Sequence, residues 1–466
     1  MSEWTGALDA AARRATEYLD SVADRPVVAT ATAAELRKAL GGPLPARGQD
    51  PAAIIDRLAD AARTGTVATQ GPRYFGFVVG GSLPAATAAD WLVSAWDQNT
   101  GIYVLSPLVS VVEEVVAEWL RDLLDLPGAS VGFVTGCQMA NFTALAVARH
   151  HVLRQAGWNV EADGLSGAPP IDVIVSDESH YTIFNALRFL GLGTARLRRV
   201  PADDQGRMRA EELERMLAGG SGPCIVAAQA GNVNTGAFDP IERIADACQA
   251  RGAWLHVDGA FGLWAAASPS RAHLVRGVTR ADSIATDAHK WLNVPYDCGI
   301  VITRHRDAHR AAMTLHAAYI ETSDAERDPH EYVPEESRRG RGVTVYAALA
   351  SLGRDGLRDI VDRCSDHAKR MAALLAAHAH VRVLNDVVLN QALVRVEPPG
   401  QDADAATLAV VAAVQQDGTC WLSGTTWHGL SAIRISVSNW STTEADVDRS
   451  ARAILEAIDR VTASQS

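Results

Sequence analysis

Two side chains whose chemistry depends on burial directly follow predicted strands. Lys290 follows the short apolar run 283–285 and precedes Trp291. Partial desolvation lowers the pKa of a lysine and frees its amine for Schiff-base formation, although a single turn lysine is more often simply solvated. Asp258 directly follows the apolar strand 254–257, where a carboxylate needs a partner such as an arginine or a cationic ring nitrogen.

A glycine turn between a predicted strand and a predicted helix is a candidate anion site. Gly136, Cys137 and Gln138 lie between the apolar run 131–135 and a helix predicted over 139–155. Glycine allows a tight turn, and the first amides of a helix have no partner within the helix, so they can bind an anion. An ordinary strand–helix turn is the alternative for this segment alone.

Three further residues follow predicted strands. His180 comes after the strand 173–175 and could lie flat over an aromatic ring, and Asn232 comes after the strand 225–228. Ala260 is small enough for a flat ring to pack against it. Ligands bind at the carboxyl ends of the strands in open parallel sheets, so we expect these residues in one site. An anion cradle, a stacking imidazole, a buried carboxylate and a lysine together describe a pyridoxal phosphate site.

The elements that position these residues follow one pattern from about 130 to 303. Short, continuous apolar runs alternate with helical segments, which is typical of a parallel sheet with helices on both faces. The predicted fold class is therefore α/β, with a large, mostly parallel sheet domain at 81–340. An N-terminal helical arm at 1–80 precedes it, and a smaller α+β domain at 341–466 follows it.

Two segments outside this pattern matter for the site. One predicted helix carries Val111, Val115, Trp119 and Leu123 at a spacing of four, which predicts one buried stripe. Residues 321–342 are charged and have almost no apolar content, so they form either an exposed linker or a mobile active-site loop. The sequence leaves both interpretations open.

Composition excludes several classes of protein. The 466 residues carry a formal charge of −12 without a long basic run, so nucleic-acid binding is not expected. Apolar stretches are too short for a membrane helix, and the N-terminus lacks the apolar core of a secretory signal. The six cysteines are far apart, which excludes Cys-x-x-Cys zinc and redox motifs and favours a reducing cytoplasm. We expect no metal site.

These motifs together resemble those of the group II pyridoxal-phosphate-dependent decarboxylases, which include aromatic-L-amino-acid, histidine and glutamate decarboxylases. The segment 287–291 resembles the family's His-Lys motif, with Lys290 as its Schiff-base lysine and His289 before it. The segment 257–260 is similar to the family's Asp-x-Ala, which supplies the pyridinium partner and the residue under the ring. The segment 177–180 resembles the one whose imidazole stacks on the ring.

The resemblance implies fold type I with a seven-stranded sheet, pyridoxal 5'-phosphate as cofactor, and a homodimer with active sites at the subunit interface. It implies an aromatic pocket by default, for which Phe75, Phe77 and Tyr103 are the candidate substrate-binding residues. Arg73 and Arg434 are candidates for binding a side-chain carboxylate, and we interpret Arg434 as the more structural of the two.

This sequence departs from the family pattern at two places. Asp287 stands where many members have asparagine, and a carboxylate would repel the cofactor phosphate, so we expect Asp287 to point to a backbone amide or another polar group. The family's decarboxylases also carry a loop tyrosine that donates a proton to carbon. Tyr332 is the candidate here, with His330 as a second candidate acid.

The reaction we predict is α-decarboxylation of an L-amino acid to the amine and carbon dioxide, with Lys290, His180, Asp258 and Tyr332 as catalytic residues. Oxygen-dependent conversion to an aldehyde is the first alternative, and transamination or C–S cleavage is another. A binding or regulatory protein that has lost activity is the non-enzymatic alternative.

Overall fold

A seven-stranded sheet is the centre of the larger of two compact units. The structure, a computed structural model, describes residues 3–314 and 326–463. The sheet has the order β1-β7-β6-β5-β4-β2-β3, in which β7 is antiparallel to both of its neighbours and the other pairs are parallel. The strands are β1 (Ser130–Val134), β2 (Asp172–Ser176), β3 (Arg198–Val200), β4 (Cys224–Gln229), β5 (Trp254–Asp258), β6 (Ser283–Asp287) and β7 (Gly299–Thr303). The predicted α/β class and the mostly parallel seven-stranded sheet are confirmed.

Most of these strands are buried on both faces because helices cover the sheet. β1, β4, β5, β6 and β7 have every residue buried, as their continuous apolar runs predict. The helices of this unit are α4 (Pro84–Trp96), α5 (Pro107–Leu123), α6 (Cys137–Gln155), α7 (Val160–Asp163), α8 (Tyr181–Phe189), α9 (Ala210–Leu217), α10 (Ile241–Arg251) and α11 (Arg306–Met313). Short 3-10 helices lie at Tyr103–Leu105, Gly262–Ala267, Ala272–Val275, Val278–Arg280 and Pro329–Tyr332.

Helix α6 is the element that fixes the site against the sheet. Its small residues Ala140 and Ala144 pack in one buried cluster with Ala285 of β6 and Val301 of β7. Short side chains let the helix backbone approach the sheet closely. The first turn of α6 therefore lies at the carboxyl ends of the central parallel strands.

The second unit contains the N-terminal helices and most of the C-terminal region. The smaller unit comprises Met1–Val79, Arg370–Leu384 and Leu393–Ser466, and the larger unit comprises Gly80–Lys369 and Asn385–Ala392. The remaining elements of the chain, of which α12 and β9 have residues in both units, are α1 (Glu3–Ser21), α2 (Ala33–Leu40), α3 (Pro51–Gly65), α12 (Arg341–Ala376), β8 (Val381–Val383), β9 (Gln391–Val396), α13 (Ala403–Asp417), β10 (Ser423–Trp427), β11 (Leu430–Ser436) and α14 (Glu444–Ala463). Strands β8 to β11 form a four-stranded sheet in the order β10-β11-β9-β8. The three-part division at residues 80 and 340 stays a prediction.

The predicted buried stripe of α5 is wrong. Val111 and Trp119 are exposed, and the helix instead buries the face that carries Val109, Glu113 and Leu120. Helix α5 has apolar residues on two faces, and apolar spacing alone cannot decide which of them faces the core. The polar Glu113 lies on the buried face because it has ionic partners there.

Those partners form a buried charge cluster between α5 and the segment that follows residue 325. Both carboxylate oxygens of Glu113 accept hydrogen bonds from Nη2 of Arg338, at 2.7 and 2.9 Å, and Nη2 of Arg327 lies 3.7 Å away. All three side chains are almost completely buried. One carboxylate thus neutralises part of a buried positive charge and fixes the segment against the helix.

We expect Glu113→Gln to destabilise the fold strongly. Removing one partner of a buried ion pair leaves an uncompensated buried charge and costs about 3–5 kcal/mol. The midpoint of urea unfolding measures this cost. Glu118→Gln is the control, because Glu118 forms an exposed ion pair with Arg121 on the same helix and should cost about 1 kcal/mol or less. Equal midpoints for the two variants would contradict this account of the cluster.

The described part of the chain contains no helix that could span a membrane. Across residues 3–314 and 326–463, every helix is too short or too polar to span a bilayer.

Candidate active site

The carboxyl ends of the parallel strands bring the predicted residues together. Asp258 is the last residue of β5 and Asp287 the last residue of β6. Lys290 lies one turn beyond Asp287, and Gly136 is the N-cap of α6 just after β1. His180 is the N-cap of α8 after β2. Residues that are up to 154 positions apart in sequence, from 136 to 290, therefore lie at one edge of the sheet.

The amine of Lys290 is paired with Asp287. Its Nζ lies 2.9 Å from Oδ2 of Asp287, and the lysine side chain is 20% exposed. Burial is the largest single influence and lowers the pKa of Lys290. The charge and hydrogen bond of Asp287, together with other nearby acidic groups such as Asp258, raise it by more in sum, so the net pKa lies above the usual lysine value. The predicted lowering of this pKa by desolvation is therefore wrong, because the sequence does not show that the Asp287 side chain turns back toward the lysine.

Asp287 also caps the helix that was predicted to bind an anion. The backbone N–H of Cys137 donates to Oδ1 of Asp287 over 2.5 Å, and Nε2 of His289 lies 3.3 Å from the same oxygen. The carboxylate thus points to a backbone amide, as expected from its departure from the family pattern. The first amide of α6 is engaged by Asp287, so an anion here would meet the amides and side chains beyond Cys137, starting with the partly exposed Gln138.

We expect Asp287→Asn to lower the pKa of Lys290 and so to increase the fraction of neutral amine at pH 8. An amide can still accept from Cys137 but carries no charge for the lysine, so Schiff-base formation should accelerate by about tenfold, equivalent to one pKa unit. Pyridoxal without its phosphate is the probe, because it separates the lysine from any change in phosphate binding. An unchanged or slower rate with pyridoxal would contradict the ion pair's effect on the amine.

Asp258 is a buried carboxylate with several hydrogen-bond donors. The backbone N–H of Ala260 and the thiol of Cys137 face Oδ1 at 3.1 and 3.4 Å, and Nδ2 of Asn141 donates to Oδ2 over 3.1 Å. Burial and the negative charge of Asp258 raise the pKa of the Cys137 thiol, so it stays protonated and can donate. These donors compensate the cost of burying the carboxylate without adding a cation to it.

His180 is linked to the same helix through Thr182. Its Nδ1 is 2.8 Å from Oγ1 of Thr182, and that oxygen is 3.4 Å from Nδ2 of Asn141. Ala260, the predicted residue under a ring, is partly buried against the cluster beneath α6. The structure thus groups His180, Asp258 and Ala260 around the start of α6. Asn141 lies within hydrogen-bond distance of Asp258 and of Thr182, and Thr182 contacts His180.

Asn232 has a structural role and one polar group left over. Its Oδ1 accepts from the backbone amides of Asn234 and Thr235, at 2.8 and 3.2 Å, which closes the turn after β4. Its Nδ2 is buried and has no hydrogen-bond partner within the described residues. A buried amide without a partner is costly, so this donor is available for a ligand oxygen.

Tyr332 does not join the cluster. Its ring is buried between the guanidinium of Arg327, 3.9 Å from the ring centroid, and the imidazole of His309. Among the described residues, no contact joins it to Lys290. His330 is also buried, with Nδ1 3.2 Å from the carbonyl of Gly101. The assignment of either residue as the proton donor stays a prediction without support from this geometry.

The segment 321–342 is described only from residue 326 onward, and its first five residues lie outside the described part. The described part is not an exposed linker, because residues 328–333 are buried. Oδ1 of Asp328 accepts from the backbone N–H of Tyr103 over 2.7 Å, which ties this segment to the one predicted to line a substrate pocket.

The other predicted substrate residues belong to the smaller unit. Phe75 is 1% exposed and serves as core, whereas Phe77 is 58% exposed and has a positive φ of 53°. Its ring lies 5.3 Å from that of Trp421. Arg73 donates to backbone carbonyls, including those of Thr419 and Ala23, and is structural. Phe75 is therefore a poor candidate for substrate contact, and Phe77 and Tyr103 stay predictions.

Comparisons with known proteins identify the family to which this chain belongs. The model of the pyridoxal-dependent decarboxylase conserved domain matches residues 35–396. The chain belongs to the pyridoxal-dependent decarboxylase family. The predicted family, the class of carboxy-lyase and the cofactor pyridoxal phosphate are confirmed.

Individual relatives of this decarboxylase-family chain differ in substrate. It is 28% identical to an aromatic-L-amino-acid decarboxylase of Bacillus atrophaeus, over 77% of this chain and 74% of that protein. It is 32% identical to the cysteine sulfinic acid decarboxylase of Mus musculus, over 71% of this chain and 68% of that protein. The crystal structure of Oryza sativa TDC with PLP and tryptamine superposes with a TM-score of 0.90 at 23% identity, covering 98% and 97% of the two chains, and so shows the fold.

The residues present fit pyridoxal phosphate. The amine of Lys290, the carboxylate of Asp258 and the unpartnered Nδ2 of Asn232 lie at one sheet edge beside the start of a 19-residue helix. These groups offer a Schiff-base amine, an anionic partner for a ring nitrogen, and donors for oxygen atoms of the cofactor.

Sequence reasoning missed several residues that shape this decarboxylase site. A Cβ on Gly80 would lie 1.8 Å from the carbonyl oxygen of Lys290, and the backbone N–H of Gly81 donates to Oδ1 of Asn293 over 2.9 Å. The glycine pair thus packs directly against the lysine turn, and its adjacency in the sequence was the available signal. Asn141 and Thr182 gave no such signal, because each is a single polar residue within a helix.

Proposed function

We propose that this protein catalyses the α-decarboxylation of an L-amino acid, releasing the amine and carbon dioxide. The observation that carries the proposal is the placement of the Lys290 amine against the carboxylate of Asp287, at the same edge of the sheet as the carboxylate of Asp258. An amine that can form a Schiff base and a carboxylate that can hold a proton on a ring nitrogen are the two groups this chemistry needs.

Pyridoxal phosphate, when bound, supplies an electron-withdrawing ring that accepts the electron pair left behind by carbon dioxide. The residues of the chain have separate tasks. Lys290 would hold the cofactor through its amine, and the carboxylate of Asp258 would stabilise a proton on the ring nitrogen. His180 would orient the ring and the substrate carboxylate, and the donors of Gln138 and Asn232 would bind oxygen atoms of the cofactor.

We propose an aromatic amino acid as the first substrate class, on the basis of Phe77. This ring is largely exposed, is held at a positive φ and lies beside Trp421, and exposed residues in rarely populated backbone conformations cluster at ligand-binding sites. Tyr103 is the second candidate contact.

An acidic amino acid is the second candidate class, on the basis of Arg434. Its guanidinium is buried, its Nε has no hydrogen-bond partner, and it forms no ion pair within residues 3–314 and 326–463. Burial lowers the pKa of this arginine, which reflects the cost of a buried cation without an anion. A substrate carboxylate would supply that anion.

A substrate panel tests both classes and the product. Protein loaded with cofactor is mixed with the aromatic amino acids and their hydroxylated analogues, and with aspartate, glutamate and cysteine sulfinate, while amine, carbon dioxide and peroxide are measured. Amine without peroxide supports decarboxylation and identifies the class. Aldehyde with peroxide would move the protein to the oxygen-dependent branch, and a keto acid without carbon dioxide to transamination. Arg434→Met should abolish acidic but not aromatic turnover.

We also propose a homodimer, on the basis of apolar side chains that are exposed on α4 and α5. Trp91, Leu92, Leu108, Val111 and Trp119 are all between about one third and three fifths exposed, on neighbouring elements of one unit. Exposed apolar surface on neighbouring helices is typical of protein interfaces, and a second copy is the partner that the family resemblance implies. Light scattering should give twice the chain mass of 49.6 kDa, and a monomer at micromolar concentration would contradict the proposal.

We propose a cytoplasmic location as well. All six cysteines are buried free thiols, which is the state that a reducing compartment maintains.

A further inference from the structure

A buried chain of hydrogen bonds ends on Asp258. The indole Nε1 of Trp254 lies 2.9 Å from Oγ of Ser283, and Nδ1 of His256 lies 3.0 Å from the same oxygen. Nε2 of His256 lies 2.9 Å from Oδ1 of Asn141, whose Nδ2 lies 3.1 Å from Oδ2 of Asp258. His256 and Asn141 are completely buried. The chain therefore joins the start of β5 to its last residue through a side chain of α6.

The two ends of the chain fix its direction. An indole N–H can only donate, and an ionised carboxylate can only accept. Ser283 therefore accepts from Trp254 and donates to Nδ1 of His256, which carries its own proton on Nε2. Burial lowers the pKa of His256 to about 4, so the ring is neutral at pH 7, as this arrangement requires. A reversed Asn141 amide would place its oxygen against the carboxylate, so the observed orientation is the favourable one.

The same amide nitrogen has a second acceptor. Nδ2 of Asn141 lies 3.4 Å from Oγ1 of Thr182, which lies 2.8 Å from Nδ1 of His180. By accepting from Asn141, the Thr182 hydroxyl can direct its own proton to Nδ1 of His180. One hydrogen of the amide therefore reaches Asp258, which is proposed to contact the ring nitrogen. The other reaches Thr182, which in turn contacts His180, the residue proposed to lie on the face of the ring.

We propose that Asn141 is a positioning residue that holds Asp258 and His180 in a fixed relation, and that the donor chain from His256 fixes the Asn141 amide with its nitrogen toward the Asp258 carboxylate. This inference rests on the proposed roles of Asp258 and His180 toward the cofactor. Donors arranged head to tail polarise one another, and hydrogen bonds to an ionised acceptor are stronger than those between neutral groups. Asn141 touches neither the reacting atoms nor the lysine, so it acts through its two partners.

The test compares variants by cofactor binding and by spectrum. Asn141→Leu removes both donors at similar volume, His256→Leu removes the donor behind the amide, and His256→Gln replaces it with an amide N–H. The readouts are the dissociation constant of pyridoxal phosphate for apoprotein and the position and intensity of the visible absorption band. Thr143→Val is the matched control, because Thr143 is buried on the same helix and, within the described residues, its hydroxyl bonds only to the carbonyl of Met139.

We expect Asn141→Leu to weaken cofactor binding by about tenfold or more, as loss of a hydrogen bond to a charged group does. The absorption band of the bound cofactor should change in position or intensity, because the carboxylate and the imidazole are no longer held in one arrangement against the ring. His256→Leu should change both readouts in the same direction by less, and His256→Gln should restore them. Thr143→Val should resemble the unaltered protein.

Two outcomes would overturn the proposal. Unaltered cofactor binding and spectrum in both Asn141→Leu and His256→Leu would show that neither residue acts on the site. Equal losses of cofactor affinity in His256→Leu and His256→Gln, with an unchanged spectrum of the bound cofactor, would show an effect on packing only. This comparison of the two His256 variants remains valid even if Asn141→Leu fails to fold. Neither readout needs a substrate, so a protein without decarboxylase activity would not be mistaken for a failure of this inference.

Discussion

Lys290→Ala is expected to abolish both amine formation and the visible band of the bound cofactor. The amine of Lys290 is the group at the edge of the sheet that can form a Schiff base, and the loss of a covalent catalytic group costs about 10³-fold or more in turnover. Any cofactor that still binds would do so through its phosphate and ring alone, so its spectrum should be that of the free aldehyde.

The composition of the chain makes this test unusually sharp. The sequence contains three lysines, Lys38, Lys290 and Lys369. Reduction of the loaded protein with borohydride would fix the cofactor to its lysine, and mass spectrometry of the peptides would identify which of the three carries it. Lys369→Ala is the control, because Lys369 is exposed and lies on α12. Cofactor trapped on Lys38 or Lys369, or a band that persists in Lys290→Ala, would refute the assignment.

Asp258→Asn is expected to reduce turnover by about 10²–10³-fold, the usual cost of removing one preorganised electrostatic contact at a reacting system. The amide can keep the contacts with Ala260 and Cys137 in part, but it carries no charge with which to hold a proton on the ring nitrogen. The cofactor should still attach to Lys290, so the effect should fall on kcat while the borohydride-trapped peptide remains the same.

Asp282→Asn is the matched control for this second variant. Asp282 is also a carboxylate beside a strand of the same sheet, but it lies before β6, at the opposite end, where it accepts from the backbone of Leu255 and pairs with His305. Near-normal turnover in Asp258→Asn, or equal losses in both variants, would remove the electrostatic role of Asp258 from the account.

The parts of the site that the sequence predicted are those that follow from chain topology. Asp258, Lys290 and Gly136 come directly after apolar runs, and the carboxyl ends of parallel strands meet at one edge whatever the loops do. The short strand β3 was missed because it has two arginines in three residues and so lacks an apolar run. Both the correct predictions and the missed strand follow from the local apolar pattern of the sequence and from general rules for parallel sheets.

The parts that the sequence did not predict depend on which side chains meet in space. Apolar spacing identified α5 but selected the wrong face, because the buried face carries Glu113 and its arginine partners come from more than 200 residues away. The pKa of Lys290 was predicted in the wrong direction, because desolvation was considered without the charge of Asp287. Asn141 contacts residues 41 and 117 positions away, and no local pattern marks it.

The most direct test of the central claim is the balance of products from a carboxyl-labelled amino acid. The best substrate of the panel would be supplied with labelled carboxyl carbon to cofactor-loaded protein, and labelled carbon dioxide and amine would be counted together in air. We predict one amine for each carbon dioxide, no peroxide, and no release from Lys290→Ala. Label retained in the organic product, or peroxide formed in proportion to carbon dioxide, would contradict decarboxylation to the amine.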